Sequence, residues 1–205
     1  MKIAGVDEAG KGPVLGPMCV AAVMMQEDEL FKLKELGVKD SKLISPKKRS
    51  ELSIEIEKIA ETVILEVTAH QIDETRKKMT MNDLAVVSFA KVLLDLRPDK
   101  AIVDAVDVKP ERFGVKVRER CEFSIDIISE HKADKNHPIV SAASIVAKVR
   151  RDKRMSELEE ALGVSIGSGY PSDLRTINFI KEIVKKEHQL PDYIRQSWTT
   201  IDKFK

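Results

Sequence analysis

Residues 2–25 read "KIAGVDEAGKGPVLGPMCVAAVMM", two apolar runs separated by a turn that holds Gly10, Gly12, Pro13 and Gly16. Short β-forming runs around such a turn predict two paired strands, so the chain opens with a hairpin. Inside it, "GVDEAGKG" (residues 5–12) has the spacing G-x-x-x-x-G-K of a phosphate cradle. Three features depart from that motif. Gly12 stands where a hydroxyl residue is required, Asp7 and Glu8 would face and repel the phosphates unless a cation intervened, and Pro13 leads into a strand instead of a helix. The nucleotide-cradle reading is therefore set aside.

Working outward, "DELFKLKELG" has helical spacing and a stop at Gly37. "SPKKRSELSIEIEKIAE" predicts a helix capped by Ser45 with Pro46 at its first position. "TVILEVT", "AIVDA" and "FSIDIIS" read as strands, and "MNDLAVVSFAKVLLDL" and "PERFGVKVRER" as helices between them. Strands and helices that alternate in this way predict an α/β sheet. From Pro138 the pattern turns helical, with one long helix ended by Gly163 and another, "DLRTINFIKEIVKKEH", capped by Ser172; "VSIG" is a weak strand candidate between them. The expected organisation is an α/β core over residues 1–137 and a helical region over 138–205, a division that can equally be counted as one domain.

The 205 residues carry 35 Lys and Arg against 34 Asp and Glu, a formal net charge of +1. A global basic field for nucleic acid is thus excluded, and any polyanion site must be local. Two cysteines form neither a disulfide framework nor a metal spacing, the N-terminus has no signal-peptide core, and "PMCVAAVMM" is too short to span a bilayer. These features predict a cytoplasmic protein, expected as a monomer because no long heptad or exposed apolar stripe stands out.

Four acids fall where chemistry gathers. Asp7 and Glu8 end the first strand, Asp104 ends "AIVDA", and Asp134 precedes the long helix. Ligands of open α/β sheets lie beyond the carboxyl ends of strands. Clustered carboxylates need cations, and an all-oxygen set without Cys or His selects Mg²⁺ or Mn²⁺. Two such ions could stabilise an in-line phosphoryl displacement, which is nuclease chemistry. Since neighbours on a strand point to opposite faces, the backbone is expected to leave strand geometry at Asp7–Glu8. An acid at a strand end is commonly a solvated turn residue, and Asp107 serves equally well as a helix cap.

"GVDEAGKGPVLGPM", "VKDSKLIS", "VDAVD", "HKADKNHPIVSAASIVAK" and "GSGYPSD", in this order, resemble ribonuclease HII, the type 2 ribonuclease H, in its archaeal form, over essentially the whole chain. The resemblance implies a ribonuclease H-like mixed sheet flanked by helices, with a helical C-terminal region that completes the active-site cleft. It implies hydrolysis of the RNA strand of RNA–DNA hybrids and incision at single ribonucleotides in duplex DNA, leaving 3′-hydroxyl and 5′-phosphate ends. It assigns the metal-binding acids to Asp7, Glu8, Asp104 and Asp134. It places Gly10-Lys11-Gly12 against the ribose 2′-hydroxyl, Tyr170 against the sugar at the ribonucleotide–DNA junction, and Lys42 on a phosphate. Relatives often carry Arg in the middle of that triplet, so Lys11 keeps the charge and loses the planar fork.

The remaining features read plainly. Lys47, Lys48, Arg49 and the run Lys148 to Arg154 are solvated charged faces, with only those beside the acids touching phosphates. Ser141, Ala142, Ala143, Ser144 and Ala147 let the long helix press on the sheet. His131 is a locally bonded loop histidine, with proton shuttling the alternative, and Trp198 and Phe204 anchor the tail. "QSWTTIDKFK" lacks the paired aromatics of a sliding-clamp docking tail, so clamp binding is not expected.

Overall fold

The computed structural model describes residues 1–38, 44–186 and 189–204. Five strands, β1 (Lys2–Ala9), β2 (Met18–Gln26), β3 (Glu61–Val67), β4 (Lys100–Asp104) and β5 (Asp126–Glu130), form one sheet in the order β3-β2-β1-β4-β5. β1 and β2 are the expected hairpin, antiparallel with Val6 opposite Ala22, and β3 continues it antiparallel. β4 and β5 run parallel to β1, which makes the sheet mixed.

The period-2 alternation of β1 and β2 divides the molecule into two cores. Ala4, Val6, Val20 and Ala22 face α4 (Met81–Leu96) and α5 (Pro110–Arg120), where Phe89 meets Phe113 edge to face at 5.2 Å. Ile3, Ala21 and Val23 face α7 (Pro138–Leu162), with α1 (Phe31–Glu35) and α2 (Pro46–Ile59) packed beyond it. A third cluster joins Val14 and Leu15, just after β1, to Met155, Ile180 of α8 (Leu174–Lys186), Ile194, and Ile201 of α9 (Thr199–Asp202). The last part of the chain thus packs on the turn that follows the first strand.

Local signals explain most boundaries. Ser45 caps α2, its hydroxyl accepting from the Lys48 N–H at 3.3 Å. α4 starts in a capping box between Thr80 and Asp83 and ends at Arg97, in the left-handed region before Pro98. Three expectations are corrected. Ala69–Arg76, read as no element, is helix α3, opened by a Thr68–Gln71 capping box. The cap of α8 is Asp173, whose carboxylate accepts from the Arg175 N–H at 3.0 Å, and not Ser172. "VSIG" forms no strand. Among the described residues no helix is long and apolar enough to cross a membrane.

The small residues of α7 do allow close approach to the sheet, and β1 answers with Gly5. A Cβ at Gly5 would lie 2.3 Å from the carbonyl carbon and oxygen of Ile139, so helix backbone rests on strand backbone. Gly5→Ala is expected to force the two apart and to cost about 2–3 kcal/mol, the upper range for overpacking. Chemical denaturation would measure this, and an unchanged midpoint would show that the contact is not tight.

Candidate active site

β1 and β4 pair in parallel only as far as Val6 and Val103, so Asp7 and Asp104 stand next to each other one step beyond the last pair. Both point to the α7 side of the sheet, continuing the alternation of Ile3 and Ile102. Asp134 joins them from α6 (Ala133–Asn136), a short helix entered through Lys132 in the left-handed conformation. The Ala133 N–H donates to Asp104 Oδ1 at 3.0 Å, tying that turn to the end of β4.

Glu8 reaches the site by a route that sequence reasoning did not foresee. β1 keeps strand geometry through Ala9, with Glu8 opposite Val20, so its side chain leaves from the α4 face. Past the end of the β1–β4 pairing, no strand separates the two faces on the β4 side of β1, and the longer glutamate side chain lines the same cavity. All four acids line one cavity of about 300 Å³. Gly10, Arg49, Ser144, Lys148 and Tyr170 form much of its remaining wall.

The acids repel one another in a desolvated place. Burial first, then the Asp104 and Glu8 charges, push the Asp7 carboxyl well above its ordinary range, against hydrogen bonds from Ser144 and the Glu8 N–H. The latter bond is 2.7 Å long. Burial also raises Glu8, opposed by the Lys11 N–H, which donates to Oε2 at 3.2 Å, and by the Lys11 and Arg195 charges. Among the described residues no three acid, His or Cys side chains converge as a finished metal cage. The donor set still suits a hard divalent cation: four carboxylates, no sulfur or imidazole, and a negative field that such an ion would relieve.

Cations share the lining of this cavity. Arg49 donates to Ile44 O at 2.9 Å and to Asp152 at 3.3 Å, and Lys148 donates to Asp152 at 2.6 Å, so one carboxylate from α7 holds two positive groups at the cavity. The tip of Lys11 turns elsewhere, donating to Asn82 Oδ1 at 2.7 Å and to Val106 O at 3.1 Å. Gly12 packs near Tyr170, where an added Cβ would lie 3.8 Å from the ring. Lys42 lies outside the described residues. His131 bonds locally to Ala105 O and Val108 O, both at 3.3 Å. Asp107 accepts from the Lys109 N–H and from Arg112 in the turn before α5, but the N-cap of that helix is Lys109, with no side-chain cap bond, so the capping role weighed for Asp107 is corrected.

Two residues read as surface, or not read at all, are interior. Arg151 is 1 % exposed, donates to Ser168 O at 3.0 Å and lies 5.4 Å from the Tyr170 ring centre. Arg195 is fully buried. The charge run around Arg151 hid an inward helix position, while Arg195 sits in a polar tail without periodicity.

Sheet order and acid-lined cleft together define a ribonuclease H-like enzyme. The family model described as Ribonuclease HII matches residues 4–201. The chain is 50% identical over 206 residues to the ribonuclease HII of Methanothrix thermoacetophila, covering 100% of this chain and 98% of that protein. The ribonuclease H2 of Pyrococcus horikoshii OT3 superposes with a TM-score of 0.93 at 40% identity, over 100% of this chain and 97% of that one. The ribonuclease HII of Archaeoglobus fulgidus, from a structure of its complex with PCNA, gives a TM-score of 0.90 at 41% identity, over 97% and 96% of the two chains. The chain therefore belongs to the ribonuclease HII family, and it is a nuclease with ribonuclease H activity.

Because burial and the neighbouring acids raise the Asp7 carboxyl in the folded state, folding disfavours its ionised form, and the group destabilises the fold increasingly as pH rises above the unfolded value of 3.8. Asp7→Asn keeps an oxygen for the Glu8 N–H and removes the charge. In chelator at neutral pH it is expected to raise Tm by a few degrees, with the gain shrinking toward acid pH. An unchanged or lower Tm in thermal scans would contradict the crowding of charge.

Proposed function

We propose that the enzyme hydrolyses the RNA strand of RNA–DNA hybrids and incises duplex DNA on the 5′ side of single embedded ribonucleotides, leaving 3′-hydroxyl and 5′-phosphate ends. The observation that carries this reading is the gathering of Asp7, Glu8, Asp104 and Asp134 on one cavity next to Gly10 and Tyr170. The acids would hold Mg²⁺ or Mn²⁺, and two bound ions would supply Lewis-acid stabilisation of the attacking and leaving oxygens. The chain's own part is to fix the substrate. Arg49 and Lys148, which line the cavity with the acids, meet phosphates, and Lys42 is assigned a further backbone phosphate. The Gly10-Lys11-Gly12 backbone lies against the 2′-hydroxyl, the group by which RNA is told from DNA, and the Tyr170 ring packs on the neighbouring sugar. Residues 138–205 supply Ser144, Lys148 and Tyr170 and so complete the cleft.

A tail contact with a sliding clamp is not part of this proposal. Ile201 is fully buried and Trp198 is packed between Arg76 and Arg195, so these apolar groups serve the fold.

The test is cleavage of end-labelled duplex DNA with one ribonucleotide, in Mg²⁺, in Mn²⁺ and in chelator. Cutting 5′ to the ribonucleotide is expected with either metal, absent in chelator, absent on all-DNA duplex and reduced by 10³-fold or more in Asp7→Asn, on the order expected for loss of a group acting only in the transition state. Cutting of all-DNA duplex would point to a DNA-directed nuclease instead. A second expectation follows for Asp152→Ala: with Arg49 and Lys148 deprived of their shared carboxylate, KM for the same duplex rises roughly tenfold while kcat changes less, as for loss of uniform binding. A change confined to kcat would refute it.

A further inference from the structure

Arg195 is fully buried, yet among the described residues no carboxylate comes within ion-pair distance of it. Its fork is filled by main-chain carbonyls instead. Nε donates to Gly16 O at 3.0 Å, Nη1 to Lys11 O at 2.9 Å and Nη2 to Gly10 O at 2.6 Å. The surrounding segment is laced to the same turn: the Arg195 N–H donates to Val14 O, the Gly16 N–H to Tyr193 O, and Leu15 and Ile194 form an antiparallel bridge. Trp198 Nε1 donates to Gly12 O at 3.1 Å, and its ring stacks 5.0 Å from the guanidinium carbon. Asp73 pins this strap to α3 by accepting from the Gln196 N–H, the Ser197 N–H and the Ser197 hydroxyl.

Peptide planarity turns this grip into aim. Among the described residues there are no cis peptide bonds, so each N–H points away from the carbonyl of its own peptide unit. With the Gly10 and Lys11 carbonyls held on Arg195, the N–H groups of Lys11 and Gly12 point the other way. The Lys11 N–H is indeed found on Glu8 Oε2, on the side of the acid cluster. Gly10 adopts φ 90°, and a Cβ there would meet Arg151 Nε at 2.4 Å, so this turn has no room for a side chain on the inner side.

We propose that Arg195 is a positioning residue for ribose recognition: its guanidinium takes the carbonyls at both ends of the Gly10–Gly16 turn and thereby directs the Lys11 and Gly12 N–H groups to the cleft. This deepens the functional reading above and rests on it. Only a planar fork with donors on three nitrogens meets three carbonyls at once, which a lysine ammonium on a flexible stem does not reproduce.

The experiment pairs hydrogen exchange of the full-length protein with kinetics on the single-ribonucleotide duplex, for wild type, Arg195→Lys, Arg195→Met and Trp198→Phe. Arg195→Met is expected to speed exchange over residues 10–16 while β2 and β4 stay protected, and to lower kcat/KM by roughly tenfold to hundredfold, mainly through kcat, as for a small misplacement of reacting groups. Arg195→Lys should restore little of either. Trp198→Phe, which loses the bond to Gly12 O and keeps an aromatic ring beside Arg195, should show the same pattern more weakly. Unchanged exchange of the turn in Arg195→Met overturns the proposal; if that variant does not fold, unchanged exchange in Trp198→Phe overturns it. An Arg195→Lys enzyme equal to wild type also overturns it, since charge alone would then suffice. Should the wild type ignore the ribonucleotide while Arg195→Met still loosens the turn, the functional reading fails and the hold of Arg195 on the turn stands.

Discussion

The contact of Gly5 with the Ile139 carbonyl is the constraint from which the site follows. Backbone lies on backbone there, so α7 can neither slide along β1 nor lift from it without opening the core of Ile3, Ala143 and Ala147. From that one crossing point, α6 is placed just before the helix, Ser144 comes to Asp7, and Lys148 and Arg151 follow at one-turn intervals toward the turn after β1. A helix held a little further from the strand would spread these groups over a wider gap.

The electrostatics are arranged in layers around the same point. Negative charge is concentrated at the strand ends, where burial makes it costly, and the nearest positive groups are held back by partners of their own: Asp152 for Arg49 and Lys148, and main-chain carbonyls for Arg195. Neutralising the acids directly by arginine would have been the more stable choice, but it would leave nothing for a cation to do. The repulsion among the acids is thus kept in the free protein and relieved on metal binding, as expected of a site whose donors await hard ions.

Much of this was legible from local signals. The hairpin, the Ser45 cap and the bounds of α4 each followed from a pattern within a few residues, whereas the four acids that line one cavity were picked out by their places at strand and helix ends together with the family resemblance. α3 escaped because "AHQIDETR" lacks an apolar stripe, although Thr68 and Gln71 at capping-box spacing were there to be read. The expected break in β1 failed for a topological reason: two faces can share a site without a kink when the neighbouring strand ends first, and strand length in β4 is invisible from β1. Arg195 could not have been found, since its acceptors lie 179 to 185 residues away and are carbonyls, which every residue type carries. Lys11 was read as a contact by its charge, whereas its side chain is directed to Asn82 and Val106.

The meeting of the first turn with residues 193–198 also orders events during synthesis. Chains are made from the N-terminus, and the sheet with its flanking helices can begin to form while translation continues. The strap that closes over Gly10–Gly16 lies 184 to 186 residues after the carbonyls it grips, so it is made long after the turn it holds. A nascent chain would carry its acids long before it carried a set ribose-facing turn. Competence to cut would be acquired late, well after the sheet that carries the acids has begun to form.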